Sequence, residues 1–248
     1  MDFTQIKIII LSALAALIAL TVHEFSHGFA AYKMGDNTAK NLGRLTFNPI
    51  KHLDPIGALC MVFFHVGWAK PVPVNSRNFR DPKRGFAITA LAGPLSNIIL
   101  GFFSAGIYLA LYALFRGIAF EEGFLFNLCQ NILIFFNLFF SLNIGLGVFN
   151  LLPIPPFDGS RILYSILPPR IYFGVMRYER KIYFGVLAWL LLGDVVASTL
   201  RALPLIAANP ILYFIVGIFS LSDMISAAIS FISGLIIDFW QLIPALRF

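Results

Sequence analysis

Long apolar stretches, separated by short polar segments, run through most of the chain. A helix needs about 20 apolar residues, with a range of about 17–25, to cross the hydrocarbon core of a bilayer. Six stretches meet this requirement, namely residues 6–31, 86–115, 124–152, 182–200, 204–220 and 224–243. The pattern predicts an all-α integral membrane protein with about six transmembrane helices.

A further apolar run, residues 56–68, is too short to cross a bilayer. Runs of about 10–14 residues are typical of re-entrant or interfacial segments. This run leads into the sequence AKPVPVN (69–75), whose two prolines favour extended backbone over helix. We therefore predict a membrane re-entrant segment over residues 56–74.

The composition agrees with a membrane protein. Hydrophobic residues make up 59% and charged residues 12% of the chain, whereas soluble domains contain about 25% charged residues. The net charge of +6 would suggest nucleic-acid binding in a soluble protein. Here the basic residues cluster between the apolar stretches, where they are typical of orientation signals. We expect the lipid bilayer, and no nucleic acid, as a partner.

The distribution of Lys and Arg predicts which segments face the cytoplasm. Residues 33–84 contain nine Lys or Arg against three Asp, and residues 158–181 contain five against two acidic residues. Residues 116–123 contain one Arg and two Glu. By the positive-inside rule the first two segments are cytoplasmic and the last is external. This topology requires residues 56–68 to enter and leave the membrane on the same side.

The first apolar stretch contains the sequence His-Glu-Phe-Ser-His at residues 23–27. Side chains four residues apart lie on one face of a helix, so His23 and His27 can bind a common metal ion. Zinc is commonly bound by imidazole nitrogens. Glu24, next to the first histidine, is placed to take a proton from a water molecule on the metal. Ionisable residues at membrane depth cost at least about 2.5 kcal/mol and are functional-site candidates. The motif predicts a zinc site, although polar groups that only hydrogen-bond one another would also fit.

A catalytic zinc site needs a third protein ligand, and Asp158 is a candidate. It stands in NLLPIPPFDGSRIL (150–163), after the third apolar stretch. Pro153 and Pro155 interrupt the helix there, and Gly159 permits a tight backbone path. Broken backbone at membrane depth occurs where protein buries it or where it lines a cavity. From these residues alone, Asp158 fits a recessed metal ligand and a helix N-cap equally well.

The two motifs together resemble the site-2 protease family of intramembrane zinc metalloproteases. The matching residues are His23, Glu24, His27, Asn150, Pro153, Pro155, Asp158 and Gly159. The stretches GRLTFNPIKHLDPIG (43–57) and AGPLSN (92–97) are also similar to that family. The resemblance covers about residues 15–165, and the rest of the chain is matched only in its hydrophobicity.

The resemblance implies a zinc-dependent endopeptidase that hydrolyses peptide bonds in or near transmembrane segments of membrane-protein substrates. It implies one Zn²⁺ per chain, held by His23, His27 and Asp158, with Glu24 as the general base. A membrane-embedded hairpin beside the active site is also implied, and the predicted substrate contacts are Pro71, Val72, Pro73 and Asn150. The predicted structural supports are Pro153, Pro155, Gly159, Gly93, Pro94 and Asn97.

The predicted organisation is a catalytic membrane core over residues 1–165 followed by C-terminal membrane helices over residues 166–248. Many members of the family carry a PDZ domain or a pair of CBS domains. The polar segments here are far shorter than the ~50 residues of a small domain, so we expect a minimal member without either. The expected location is the cell membrane, as a multi-pass protein with its active site toward the cytoplasm.

Two alternatives remain open at this point. A different type of multi-span zinc protease takes its third ligand from a downstream glutamate, for which Glu121 and Glu122 are the candidates. The charge distribution places them on the external side, away from His23, and disfavours this alternative. An inactive membrane scaffold or an ion or proton transporter would use the same polar residues differently, but the sequence lacks the inverted repeat that many transporters carry.

Overall fold

The computed structural model describes residues 2–57, 69–118, 123–218 and 220–247. This part of the chain is nearly all helical. Its α-helices are α1 (Phe3–Met34), α2 (Thr38–Asn41), α3 (Pro82–Phe115), α4 (Phe124–Asn150), α5 (Asp158–Ile166), α6 (Pro169–Arg201), α7 (Pro204–Ala207), α8 (Pro210–Ile218) and α9 (Leu221–Trp240). Short 3₁₀ helices cover Pro49–Lys51, Ser76–Asn78 and Pro244–Leu246.

Within the described residues, five helical segments are long and apolar enough to cross a membrane. They are Phe3–Met34, Pro82–Phe115, Phe124–Asn150, Arg177–Arg201 and Leu221–Trp240. The expected count of six is not confirmed, because the described residues 204–218 form α7 and α8 instead of one long helix. Pro210 has no N–H to continue a helix from α7, and its ring clashes with the preceding turn.

The core lies where α1, α3 and α4 meet. Ala15 and Ala19 of α1 pack against Phe139 of α4. Gly101 of α3 lies against Ile144 of α4, and a Cβ on that glycine would come within 2.5 Å of the isoleucine side chain. Small residues of this kind let membrane helices approach closely and pack without voids. The three helices therefore form a tight unit around the polar residues of α1.

The segment after α1 is fixed to that helix by a buried carboxylate. Gly35 ends α1 with a φ of 112°, a left-handed conformation that glycine adopts readily. The next residue, Asp36, is fully buried. Its carboxylate accepts hydrogen bonds from Thr38 Oγ1 at 2.5 Å, Asn75 N at 2.7 Å and Asn78 Nδ2 at 2.8 Å. The chain around residues 75–78 is thereby tied to the end of α1.

Residues 69–75 form an extended segment beside α1. An isolated antiparallel bridge joins Leu53 to Ala69, and Lys70 N donates to His52 O at 2.8 Å. The guanidinium of Arg44 donates to Lys70 O at 2.8 Å and to Pro71 O at 3.3 Å. This segment, at the end of the predicted re-entrant region, is therefore non-helical and is anchored from several sides.

A proline-rich loop between α4 and α5 returns the chain to α1. Pro153 and Pro155 lie in this loop, and α5 begins at Asp158. Gly159 packs so closely that a Cβ there would lie 2.2 Å from the Leu151 carbonyl oxygen. Any larger residue would push α5 away from the end of α4. The loop thus brings Asp158 toward the middle of the unit formed by α1, α3 and α4.

The C-terminal helices pack on this unit from one side. Val186 of α6 and Leu221 and Ile225 of α9 cluster with Phe157 from the proline-rich loop. Asp194 of α6 accepts hydrogen bonds from Ser220 Oγ at 2.7 Å and Ser222 Oγ at 2.6 Å. This polar contact joins α6 to the start of α9, which is the usual role of an isolated acid between membrane helices.

Several residues, some of them candidates in the sequence analysis, fall outside the described ranges. They are Cys60 and His65, together with most of the predicted re-entrant segment, and the alternative ligands Glu121 and Glu122. His52 is described, and it is only 2% exposed. Its Nε2 hydrogen-bonds the Thr46 carbonyl at 2.8 Å, so it holds the 46–52 turn together.

Candidate metal centre

His23 and His27 lie one helical turn apart on the same face of α1. Their rings meet edge to face with centroids 4.6 Å apart. The two Nε2 atoms are 3.0 Å from each other. This convergence follows from the four-residue spacing of the motif, since residues i and i+4 lie one above the other on a helix.

Asp158 reaches the same point from α5, far away along the chain. Its Oδ2 lies 3.2 Å from Nε2 of His23 and 3.1 Å from Nε2 of His27. These three residues form a group that could hold a metal ion. The N-cap interpretation of Asp158 is wrong, because the N-cap of α5 is Phe157 and no side chain caps that helix. The carboxylate instead faces the two imidazoles.

In both histidines the Nδ1 atom has a hydrogen-bond partner. Nδ1 of His27 lies 2.7 Å from the Thr89 carbonyl oxygen, which can only accept a hydrogen bond. Nδ1 of His23 lies 2.6 Å from Oδ1 of Asn97. Both rings therefore carry their proton on Nδ1 and leave the Nε2 lone pair toward Asp158. Hydrogen bonds of this kind fix the tautomer and ring orientation of metal-binding histidines.

The orientation of Asn97 is itself determined by two acceptors. Its Nδ2 donates to Ala19 O at 3.2 Å and to Asn143 Oδ1 at 2.9 Å, so its oxygen must face His23. Asn143 in turn donates to Phe139 O at 2.8 Å. Both asparagines are fully buried. Asn97, a predicted structural support, thus contacts His23 directly, whereas Asn143 was not singled out from the sequence.

Gly93 allows α3 to approach the two histidines. A Cβ at this position would lie 2.4 Å from Nε2 of His27 and 2.7 Å from Cε1 of His23. Atoms cannot approach that closely, so any side chain at residue 93 would displace the rings. The neighbouring Pro94 is buried inside α3, and its carbonyl oxygen lies against Gly147 of α4. Both residues of the predicted Gly-Pro pair therefore lie at close helix contacts beside the site.

Glu24 is held by the extended segment. Its Oε2 accepts a hydrogen bond of 2.8 Å from the backbone N–H of Val72. The side chain of Val72 packs close to Gly28, one turn further along α1. The segment 69–75 is therefore in direct contact with the helix that carries the His-Glu motif.

These groups surround a cavity of about 190 Å³. Its lining includes His23, Glu24, His27, Asp158, Asn150, Pro71 and Val72 among the residues singled out from the sequence. Pro73 does not line it, and neither do Pro153, Pro155 and Gly159, which shape the backbone that delivers Asp158. The cavity has room for several water molecules.

Five further lining residues were not identified from the sequence. They are Val74, Phe86, Thr89, Ala90 and Arg161. Phe86, Thr89, Ala90 and Gly93 follow the i, i+3, i+4, i+7 spacing of one helix face, so Gly93 in the motif could have identified the others. The Thr89 hydroxyl is buried without a hydrogen-bond partner in the described residues, which leaves a free polar group in the cavity wall.

Comparisons with a family profile and with individual proteins both indicate a metallopeptidase family. Residues 11–192 match the profile described as "Peptidase family M50". The chain is 40% identical over 176 residues to "Putative zinc metalloprotease YwhC" of Bacillus subtilis, covering 71% of this chain and 76% of that protein. It is 28% identical over 178 residues to "Putative zinc metalloprotease Rip2" of Mycolicibacterium smegmatis, covering 68% of this chain and 60% of that one. No solved structure gives a significant match.

Proposed function

The chain belongs to peptidase family M50, the site-2 protease family, and we propose that it is a zinc-dependent endopeptidase that cleaves membrane proteins in or near their transmembrane segments. Family membership and its several long apolar helices make it a multi-pass membrane protein. The observation that carries the proposal is the convergence of His23, His27 and Asp158 on one point beside Glu24.

The donor set fits zinc. Ligands of a tetrahedral zinc ion at ~2.0–2.1 Å from the metal lie about 3.3 Å from one another, and the Nε2 and Oδ2 atoms here are 3.0–3.2 Å apart. Two imidazoles that both carry their proton on Nδ1, together with a carboxylate, leave three lone pairs facing each other. Such an arrangement is repulsive without a cation between the atoms. We therefore assign one Zn²⁺ to His23, His27 and Asp158.

The chemistry is hydrolysis by an activated water molecule. Bound zinc lowers the pKa of water and polarises a carbonyl. Glu24 then acts as the general base, accepting the proton from the attacking water and passing it to the leaving nitrogen of the peptide. Its hydrogen bond to Val72 N keeps the carboxylate at the cavity wall. Among the described residues the other carboxylate oxygen of Glu24 has no hydrogen-bond partner, and we assign the proton transfer to it.

The substrate must present an extended backbone, because a helical segment hides its carbonyl groups in its own hydrogen bonds. The segment 69–75 is suited to hold such a strand at its edge. Val72 and Val74 line the cavity, and residues two apart on a strand direct their backbone groups to the same side. Pro71 and Pro73 lack the N–H needed to pair on the other side. The Val72 N–H already donates to Glu24, so we propose that the substrate pairs with the Val72 carbonyl and with the backbone of Val74.

The proposed orientation places the cavity toward the cytoplasm. His23 and His27 lie in the last third of α1, close to the basic segment 33–84. Basic segments of this kind remain on the cytoplasmic side of membranes. Water would then reach the cavity from that side, through the opening bordered by the extended segment and α5.

Replacing Glu24 tests the proposal. Purified wild-type protein should contain one zinc per chain and cleave membrane-spanning peptides in proteoliposomes. The variant Glu24→Gln should keep its zinc and lose about 10²–10⁴-fold in cleavage rate, the usual contribution of a general base. Glu179→Gln on α6 serves as the matched control and should retain both zinc and activity. A wild-type protein without zinc, or full cleavage by Glu24→Gln, would refute the proposal and favour a scaffold or transporter.

A further inference from the structure

Arg161 lies at the catalytic cavity, one helical turn after Asp158 on α5. In the sequence it counts only as one of the basic residues that orient the chain in the membrane. The structure gives it a more specific position. Its guanidinium carbon lies 5.4 Å from the ring centre of Phe86 on α3, and Phe86 lines the same cavity. A cation placed over an aromatic ring is held there by the ring quadrupole.

Arg161 has no anionic partner in the part of the chain that the structure describes. Other arginines do find acceptors, since Arg201 pairs with Asp223 and Arg44 bonds the carbonyls of Lys70 and Pro71. Arg161 forms neither an ion pair nor a hydrogen bond there, although its side chain is exposed at the cavity. A guanidinium presents paired donors that match the two oxygens of a carboxylate. This donor set is left free beside the reaction centre.

The acidic groups of the cavity are already committed. Asp158 faces the two imidazoles, and Glu24 accepts the hydrogen bond from Val72 N. Among the residues that line the cavity, these are the acidic ones. Neither pairs with Arg161, so among the described residues the cavity contains one positive charge without an acidic partner. The natural source of such a partner is the chain that enters the cavity.

We propose that Arg161, supported by Phe86, is a subsite for a carboxylate of the substrate near the bond to be cleaved. The inference rests on the proposed function and specifies its substrate class, namely membrane peptides with a carboxylate on the cytoplasmic side of the scissile bond. That carboxylate can come from two sources. It is either an Asp or Glu side chain or the free C-terminus of a segment already shortened by another protease.

The experiment measures binding and cleavage separately. The probes are synthetic single-span peptides in phosphatidylcholine proteoliposomes, in which one Asp, Asn or Lys is moved through successive positions. A second set ends at successive positions with a free carboxylate or a carboxamide. Binding is measured by fluorescence anisotropy with the Glu24→Gln variant, which should not cleave the peptides. The values of KM and kcat are measured with protein that retains Glu24. We expect one position at which the carboxylate lowers Kd and KM about tenfold relative to its neutral counterpart.

Substitution of Arg161 identifies the cause of this preference. Arg161→Gln should remove the preference for a carboxylate while the zinc content stays normal. Arg161→Glu should instead create a preference for peptides with Lys at that position. Phe86→Leu should weaken the preference for a carboxylate. Arg84→Gln is the matched control, because Arg84 is an exposed arginine outside the cavity lining, and it should leave the preference intact. If Arg84→Gln also lost the preference for a carboxylate, the preference would reflect only the general surface charge, and the proposal would be overturned.

The two proposals fail in different ways. Cleavage without any carboxylate preference, or a preference that survives in Arg161→Gln, would refute the proposed subsite but not the proposed protease function. A carboxylate preference in binding, sensitive to Arg161 but without cleavage by the wild type, supports the subsite and refutes the protease.

Discussion

The unit formed by α1, α3 and α4 and the C-terminal helices α6 and α9 are both apolar, but they use their polar residues differently. In the most apolar stretch of α4, 33% of the residues are buried inside the protein, compared with 11% in α9. The first unit buries Asn97 and Asn143 completely and connects them to His23. In the second region Asp194 joins helices and touches no part of the cavity.

This difference indicates a division of labour. Close packing through Gly93 and Gly101 fixes the positions of the imidazoles, which a metal site requires, whereas the later helices contribute an outer layer around Phe157. The family match covers residues 11–192. It therefore leaves α7 to α9 outside but includes most of α6, and it agrees with this division for the last three helices. We therefore expect substitutions in the first unit to change zinc binding and cleavage, and equivalent substitutions in α6 and α9 to change neither.

The strongest contrast should come from two aspartates. Asp158→Asn removes the charged member of the proposed ligand set and leaves two neutral imidazoles. We expect zinc affinity to fall by more than about 100-fold, beyond the usual effect of losing an outer-shell partner, and cleavage to become undetectable. Asp194→Asn should keep full zinc content and activity. Elemental analysis of the purified variants checks both, and equal zinc loss in the two would remove the distinction between the regions.

A pair of glycines gives the next largest contrast. Gly93→Ala places a methyl group 2.4 Å from Nε2 of His27, so we expect the rings to move and zinc binding to be lost. Gly234→Ala in α9 meets no atom within 4 Å and should raise stability by up to about 1 kcal/mol through helix propensity. Thermal unfolding and zinc content measure the two effects. Normal zinc content in Gly93→Ala would mean that α3 can shift without cost.

The sequence contains enough information to predict part of this arrangement. The spacing of His23 and His27 determines that they share a helix face, whatever the rest of the fold. The approach of Asp158 is a contact over more than a hundred residues, which periodicity cannot supply, so it required the family resemblance. The nearly all-helical architecture of the described residues followed from the length of the apolar stretches.

Other features could not be read from the sequence for identifiable physical reasons. Asn143 is one of several asparagines in α4, and only its contact with Asn97 distinguishes it. Hydropathy averages over residues 204–220 and conceals the break before Pro210. Arg161 carries the same charge as its basic neighbours, and its position at the cavity depends on how α5 packs against Phe86. For Asn143 and Arg161 the decisive information is a contact between distant segments, whereas the break before Pro210 is a local effect of proline that the average hides.

Asn97→Ala should have a smaller effect than the ligand substitution. It removes the acceptor of the His23 Nδ1 proton and leaves Asn143 Oδ1 without its donor. Loss of such a partner usually lowers metal affinity by about 10–100-fold, so activity should fall at limiting zinc and recover when zinc is added. Asn127→Ala, at the exposed start of α4, is the control. Competition with a chelator gives the affinities, and an unchanged value for Asn97→Ala would show that helix packing alone orients His23.

The smallest expected effect concerns Asp36, which lies outside the membrane helices and holds the end of the extended segment. Burial alone would raise the pKa of its carboxyl, but hydrogen bonds from Thr38, Asn75 and Asn78 outweigh this and lower the pKa below its usual 3.8. The ionised carboxylate therefore stabilises the fold above that pH, and the stabilisation is lost as the pH falls through the lowered pKa.

Asp36→Asn should accordingly loosen residues 69–75 from α1 and raise KM more than it lowers kcat, by about tenfold or less in kcat/KM. The difference in Tm between wild type and variant should be constant from about pH 7 to pH 5 and narrow below about pH 4, as the wild-type carboxyl takes up its proton. Zinc content should stay normal, because Asp36 touches none of the three converging residues. A Tm difference that widens on acidification would mean that the buried carboxyl of Asp36 is neutral in the native protein. An ionised carboxylate would then not be what anchors the extended segment 69–75.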